Sequence, residues 1–131
     1  MARTRLSGKA ERVLKLLLGL RNRKIALALE GASEGAHHGT ADFRVKKRIF
    51  ATLGYPDKAW GMVKLTPEQQ SMLVDAEPEI FRPVPGGWGK GGSTNVRLAK
   101  ADATTLKSAL TMAWRNIAEK PTAKPRAKKK A

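Results

Sequence analysis

The chain contains no cysteine. Disulfides, thiolate metal ligands and cysteine nucleophiles are therefore excluded, and nothing argues for an oxidising compartment. Long hydrophobic runs are missing too. The longest, Val13 to Leu20, is broken by Lys15 and falls far short of the roughly 20 apolar residues that cross a bilayer. The basic residues before it, Arg3, Arg5, Lys9 and Arg12, carry the charge of a targeting peptide, but Glu11 interrupts them and no small-residue cleavage pattern follows. Cytoplasmic residence is the expectation. Acidic residues are the third scarcity, 11 against 26 Lys and Arg, which leaves a formal net charge of +15.

The placement of that charge matters more than its size. Residues 1 to 24 hold eight Lys or Arg and one acid, and residues 119 to 131 hold six and one; the middle holds twelve and nine. The ends therefore supply +12 of the +15. Cationic ends attract polyanions by releasing condensed counterions and need no shaped site, so nucleic acid is the first partner to consider. Solubility alone is the competing explanation. With 131 residues the chain suffices for one domain with a core and not for two.

Along the chain, Ala10, Val13, Leu14 and Leu17 fall at helical spacing with Lys9, Arg12 and Lys15 largely opposite, which reads as a basic amphipathic helix whose apolar stripe packs on the domain. Arg21-Asn22 interrupts it, and Ile25, Leu27 and Leu29 resume it before Gly31, so two helices or one bent helix are expected. Phe43 and Val45 alternate with Arg44 and Lys46, Lys47 makes a turn, and Ile49, Ala51 and Leu53 return on one face. Asp42 to Gly54 is thus a β-hairpin. Ala59 to Leu65 is a further strand. Thr66-Pro67-Glu68-Gln69 starts a helix that ends before Pro78, with Thr66 as N-cap and Gln69 placed to reach back. Ile80 to Val84 and Thr94 to Leu98 are strands, and Asp102 caps a last helix with Leu106, Ala109, Leu110, Ala113, Trp114 and Ile117 on its apolar face. The order predicts an α+β fold: a single compact domain with a mainly antiparallel sheet and helices packed on one face. The expected organisation is a basic, helical N-terminal extension over 1–23, the domain over 24–118, and a disordered Lys/Pro/Ala-rich tail over 119–131.

Three places could carry chemistry. Gly87-Trp88-Gly89-Lys90-Gly91-Gly92 satisfies Gly-x-Gly-x-x-Gly, but a strand follows it where a dinucleotide loop needs a helix. A P-loop fails as well, because Gly91 follows Lys90 and Val84 stands where the leading glycine belongs. What remains is a flexible connection between strands that displays Trp88, either as a lid on the core or as an exposed stacking side chain. His37 and His38, the only histidines, lie between Glu34 and Asp42 and are weak metal candidates, since adjacent strand residues point to opposite faces. No Gly-x-Ser-x-Gly or similar nucleophile setting occurs and the carboxylates are scattered, so no catalytic residue and no cofactor is expected. The cationic strand surface is the third: Arg44, Lys46, Lys47 and Arg48, with Lys64, Lys90 and Arg97, are candidates for phosphate contacts, or for ordinary edge protection.

The segments "LALEGASEGAHHG", "FRVKKRIFA", "WGMVKL" followed by "TPEQQ", "GGWGKGGSTNVRL" and "AWRN" together resemble the MmcQ/YjbR family of small bacterial proteins over about Lys24 to Ala118. Glu30 departs from the pattern, standing where that family commonly has proline, so the first helix is expected to end less sharply. The resemblance implies a CyaY-like α+β fold with two hairpin wings for which DNA binding has been proposed, and no agreed catalytic residues. In this chain the wings are Phe43 to Leu53 and Ile80 to Leu98. The leading expectation is a non-enzymatic, largely sequence-nonspecific DNA-binding protein. Its contacts would be Arg44, Lys46, Lys47, Arg48, Lys64, Trp88, Lys90 and Arg97, with Lys124, Arg126, Lys128, Lys129 and Lys130 of the tail. A protein- or small-ligand-binding module with incidental basic ends is the alternative, and a metal or enzymatic site around His37 and His38 the least favoured.

Overall fold

Capping residues and strand alternation set the elements of the computed structural model, which describes residues 7–120. In chain order these are α1 (Gly8–Leu27), β1 (Ser33–His37), β2 (Thr40–Val45), β3 (Arg48–Leu53), β4 (Trp60–Lys64), α2 (Pro67–Ala76), β5 (Phe81–Pro83), α3 (Gly87–Lys90), β6 (Ser93–Arg97) and α4 (Ala103–Ala118). The six strands form one sheet in the order β1-β2-β3-β4-β6-β5, with every neighbouring pair antiparallel. The fold is α+β, as expected. The tail cations from Lys124 onward, and the expectation that the tail is disordered, lie outside the described residues.

Each long helix begins on a side-chain cap that satisfies an orphan backbone donor. Ser7 Oγ accepts from the Ala10 amide at 3.0 Å, and Asp102 Oδ1 from the Thr105 amide at 2.8 Å. At α2 the capping box is complete: Thr66 Oγ1 accepts from the Gln69 amide and Gln69 Oε1 from the Thr66 amide. The apolar face of α4, Leu106, Ala109, Leu110 and Ala113, is buried together with Phe43, Phe50, Val63, Phe81, Val96 and Leu98 of the sheet. α4 lies over β2, β3 and β4, α2 over β5 and β6, and α1 against α4 and β3.

Three details differ from what periodicity predicts. β1 is an edge strand of sequence Ser-Glu-Gly-Ala-His, which lacks the apolar alternation that would announce it; its backbone pairs with β2. In β3 an extra residue shifts the register between Phe43 and Arg44, so Phe43 faces Ala51 while Arg44 faces Ile49. A bulge inverts the alternation on its far side: Ile49 leaves the face it was expected to share with Ala51 and Leu53, and Phe50 enters the core at 0% exposure.

The third difference is α1, one helix of 20 residues with no break at Arg21-Asn22. Asn22 is buried inside it, and Arg21 Nη2 donates to the carbonyls of Leu98 and Ala101 at 2.9 and 2.7 Å. The helix ends at Leu27, before Glu30. Its inner side, Leu18, Ile25 and Ala26, meets the core. The stripe expected to pack inward is instead outward: Val13, Leu14 and Leu17 are 47%, 39% and 57% exposed. The side that takes the core lies further round the helix, from Leu18 and Ile25 to Ala26, with Gly19 next to Leu53.

Substitutions should separate the two sides. Leu17→Ser should change stability by no more than about 0.5 kcal/mol, as surface changes do, whereas Leu110→Ala, at 0% exposure, should cost about 2–5 kcal/mol. Chemical denaturation of both variants measures the difference.

Candidate functional site

Among the described residues the three long helices, α1, α2 and α4, cover one face of the sheet. Residues directly opposite on neighbouring strands share a face, and the register aligns Asp42, Thr52, Met62, Asn95 and Arg82 across β2, β3, β4, β6 and β5. These belong to the face opposite those three helices. Strand alternation adds Trp60 and Lys64 beside Met62, and Arg97 beside Asn95; Trp60 is paired with Arg97. A groove of about 720 Å³ lies on this face. Ile49, Thr52, Met62 and Asn95 form its floor, and Lys64 and Arg82 its cationic border. Tyr55 and Trp88 stand beside it, 68% and 70% exposed. Tyr55 follows the end of β3, next to the start of β4, while Trp88 stands near Lys64 at the end of β4, so the two rings flank the groove along the strand direction.

Cations and rings are paired here. The Lys64 ammonium lies 5.4 Å from the centre of the Trp88 ring. The Arg82 and Arg97 guanidinium carbons lie 4.8 and 4.9 Å from that of Trp60. The negative π face attracts each cation without neutralising it. Among the described residues no carboxylate forms a salt bridge with Lys64, Arg82 or Arg97.

The one acid of this face is differently placed. Asp42, with a fully buried side chain, accepts from Arg44 Nε and Nη2 at 2.8 and 3.1 Å and from His37 at 2.8 Å. An ionised carboxylate only accepts, so the His37 ring carries its proton on Nδ1. Arg44 first, with the His37 bond, holds the Asp42 carboxyl below the usual carboxylate range against the opposing effect of burial. Gly35, opposite Asp42, leaves room for the pair: a Cβ there would press on Asp42 Oδ1 at 3.0 Å.

The glycine-rich segment is a hydrogen-bonded turn rather than an open loop. It forms the one-turn α3, and Gln70 Nε2 pins it by donating to the carbonyls of Gly89 and Ser93 at 3.0 and 2.9 Å. Gly89 and Gly92 are required by close approach: a Cβ at Gly89 would run into the Val84 carbonyl, and one at Gly92 into that of Leu65, with a φ of +114° besides. Trp88 is therefore an exposed ring on a hydrogen-bonded, closely packed backbone.

The expected contact residues divide. Lys64, Trp88 and Arg97 come together on the open face, and Arg44 joins them there, bound to Asp42. Lys46 Nζ instead donates to the Ala118 carbonyl at 2.8 Å and Arg48 Nη2 to the Lys120 carbonyl at 3.2 Å. Both are spent on the C-terminal end of α4, where a cation is favoured by the helix dipole. Lys47 and Lys90 are exposed. His37 faces Asp42 while His38 occupies the β1–β2 turn at φ 51°, and Glu34 pairs with Arg23 at 2.8 Å. No group of three or more His, Asp or Glu able to hold a metal occurs among the described residues. Trp60, Arg82, Asn95 and Tyr55 were not anticipated. The alternation Trp60-x-Met62-x-Lys64 would have placed Trp60 on the same face as Lys64; Arg82, in a strand of three residues, leaves no such trace.

A family model described as YjbR matches residues 27–116. The crystal structure of Deinococcus radiodurans protein DR2400, which carries a DUF419 domain, is similar with a TM-score of 0.64 and 22% identity, covering 75% of this chain and 76% of that one. At that identity the likeness bears on the fold. No curated protein sequence matches the chain. No helix among the described residues is long and apolar enough to cross a membrane.

Two predictions concern this site. Gly92→Ala should lower stability by about 1–3 kcal/mol through strain and displacement of α3, whereas Gly87→Ala, with open space around it, should be neutral; thermal melts followed by tryptophan fluorescence report both. Asp42→Asn should cost about 1–3 kcal/mol at neutral pH, since Arg44 loses its charged acceptor. The depressed Asp42 stabilises the fold above the ordinary carboxylate pKa, and that contribution disappears as pH falls through its folded value. The variant should therefore unfold with a flatter dependence on pH below about 4, measured by acid titration of the circular dichroism signal.

Proposed function

The chain belongs to the YjbR family, and from that premise we propose that it is a non-enzymatic, largely sequence-nonspecific DNA-binding protein of the bacterial cytoplasm. The observation that carries this is the sheet face opposite the long helices, where Lys64, Arg82 and Arg97 lie against aromatic rings and, among the described residues, no carboxylate forms a salt bridge with them. Phosphates would meet these three, while the chain ends, with +12 of the +15 net charge, would supply long-range attraction and much of the affinity. Contacts to phosphate fix orientation and carry no sequence information, in keeping with the absence of a base-reading motif.

The wing proposed for the first hairpin is narrower on this account. Lys46 and Arg48 are engaged by α4, which leaves Lys47 as the cation of that tip. The second wing contributes Arg82, Trp88, Lys90 and Arg97.

Salt dependence tests the proposal. Each phosphate neutralised on duplex DNA contributes about 0.9 to the slope of log affinity against log salt. Replacing Lys64, Arg82 and Arg97 with Gln should make that slope shallower by about 2.7, and replacing Lys124, Arg126, Lys128, Lys129 and Lys130 with Gln should reduce both slope and affinity. Fluorescence anisotropy of labelled duplex with the full chain measures each. A slope unchanged by the first set would remove the sheet face from the interface; no salt-dependent binding by the unmodified protein would end the proposal.

A further inference from the structure

Resting on that nucleic-acid reading, we infer that the groove on the open face holds an unpaired nucleobase bearing a phosphate. The base stacks on Trp88 and meets Asn95 with its edge, and the phosphate sits at Lys64 and Arg82, so single strands are preferred over duplex.

The ring comes first. An indole 70% exposed costs hydrophobic free energy unless something covers it, and here its backbone is immobilised by the Gln70 bonds and by the tight packing of Gly89 and Gly92. A stacking surface that is already rigid loses little entropy when a ligand arrives. A base inside a duplex is stacked on its neighbours and paired along its edge, whereas an unpaired base offers a face to an aromatic ring.

The groove supplies the other two elements. Its volume of about 720 Å³ lies within the range of small-ligand pockets, roughly 300–1,000 Å³. Its floor is apolar at Ile49 and Met62 and polar at Asn95. Asn95 is only 8% exposed, yet its carboxamide makes no hydrogen bond among the described residues, although it can both donate and accept. A base edge offers the matching donors and acceptors. Lys64, 5.4 Å from the Trp88 ring, places a positive charge where the phosphate of a stacked nucleotide can reach it. Among the described residues no carboxylate lines the groove to repel that phosphate. The same chemistry is present in a nucleotide of a single strand and in a free mononucleotide.

The test compares three probes against the full chain at one salt concentration: labelled oligothymidylate, the duplex it forms with oligoadenylate, and thymidine monophosphate. Anisotropy reads the two labelled probes, and intrinsic tryptophan fluorescence reads all three. The single strand should bind at least tenfold tighter than the duplex and quench a signal that disappears in Trp88→Ala. That variant should weaken single-strand binding about tenfold, within the range of one base–aromatic stack, and leave duplex binding within about twofold. Trp88→Phe should recover most of the loss, and Asn95→Ala should weaken the single strand without changing the salt slope. Equal binding of strand and duplex, unaffected by Trp88→Ala, would overturn this inference and leave the phosphate reading in place. Quenching of Trp88 by the mononucleotide without binding of either polymer would support the groove chemistry, with a free nucleotide as its source, and overturn the DNA reading. No response to any probe would overturn both.

Discussion

The whole arrangement depends on α1, α2 and α4 packing against the same side of one sheet. Leu106, Ala109, Leu110 and Ala113 of α4 take up the space over β2, β3 and β4, and the Asn116 carboxamide locks the helix ends together by donating to the Lys64 carbonyl at 3.0 Å and to Gln69 Oε1 at 2.7 Å. Among the described residues none of these three helices covers the other face. An antiparallel sheet tolerates this provided the uncovered side is polar, and here the polarity is cationic and aromatic. Lys64 illustrates the coupling: its carbonyl is held by α4 from behind while its ammonium lies against Trp88 in front.

A sheet face with several cations and one acid could discharge itself. It does not, because the acid is sequestered. Asp42 is enclosed by Arg44 and His37 at the β1–β2 edge, two strands away from Lys64 and further from Arg82 and Arg97. Burying that carboxylate is unfavourable unless its bonds are made, and Gly35 is what allows the Arg44 and Asp42 side chains to meet. Charge is thereby sorted along the face: a closed ion cluster at one edge, open cations at the other.

Most of the architecture was legible in the sequence because most of it is local. The capping box at Thr66, the cap at Asp102 and the alternation from Phe43 to Val45 are interactions between residues a few positions apart, and each forms as its spacing predicts. What was not legible depends on contacts between distant segments. The bulge that puts Ile49 on the groove floor arises from the pairing of β3 with β2. The two apolar stripes of α1 look alike as composition; the pairing of Gly19 with Leu53 and the reach of Arg21 to Leu98 distinguish them. The loss of Lys46 and Arg48 from the cationic surface follows from the position of the α4 terminus, 72 residues away in the chain. Lys64, Arg97 and Trp88 were identified from sequence as separate possibilities. Their convergence on one face, with Arg82 and Trp60 added, is a property of strand order β4-β6-β5.

The glycine-rich stretch shows how far spacing alone can mislead. Gly87, Gly89 and Gly92 satisfy a nucleotide-loop pattern, yet their roles are mechanical. Gly89 admits the Val84 carbonyl and Gly92 the Leu65 carbonyl, so the segment folds down onto the edge of the sheet. A mobile loop carrying a tryptophan would bury that ring on the nearest apolar surface, since indole burial is among the largest hydrophobic gains available. The backbone constraint prevents it. With Gln70 holding the Gly89 and Ser93 carbonyls, Trp88 stays beside the groove, where Lys64 is its partner. Glycines that suggested phosphate binding thus act at one remove, by holding an aromatic ring where a ligand can meet it.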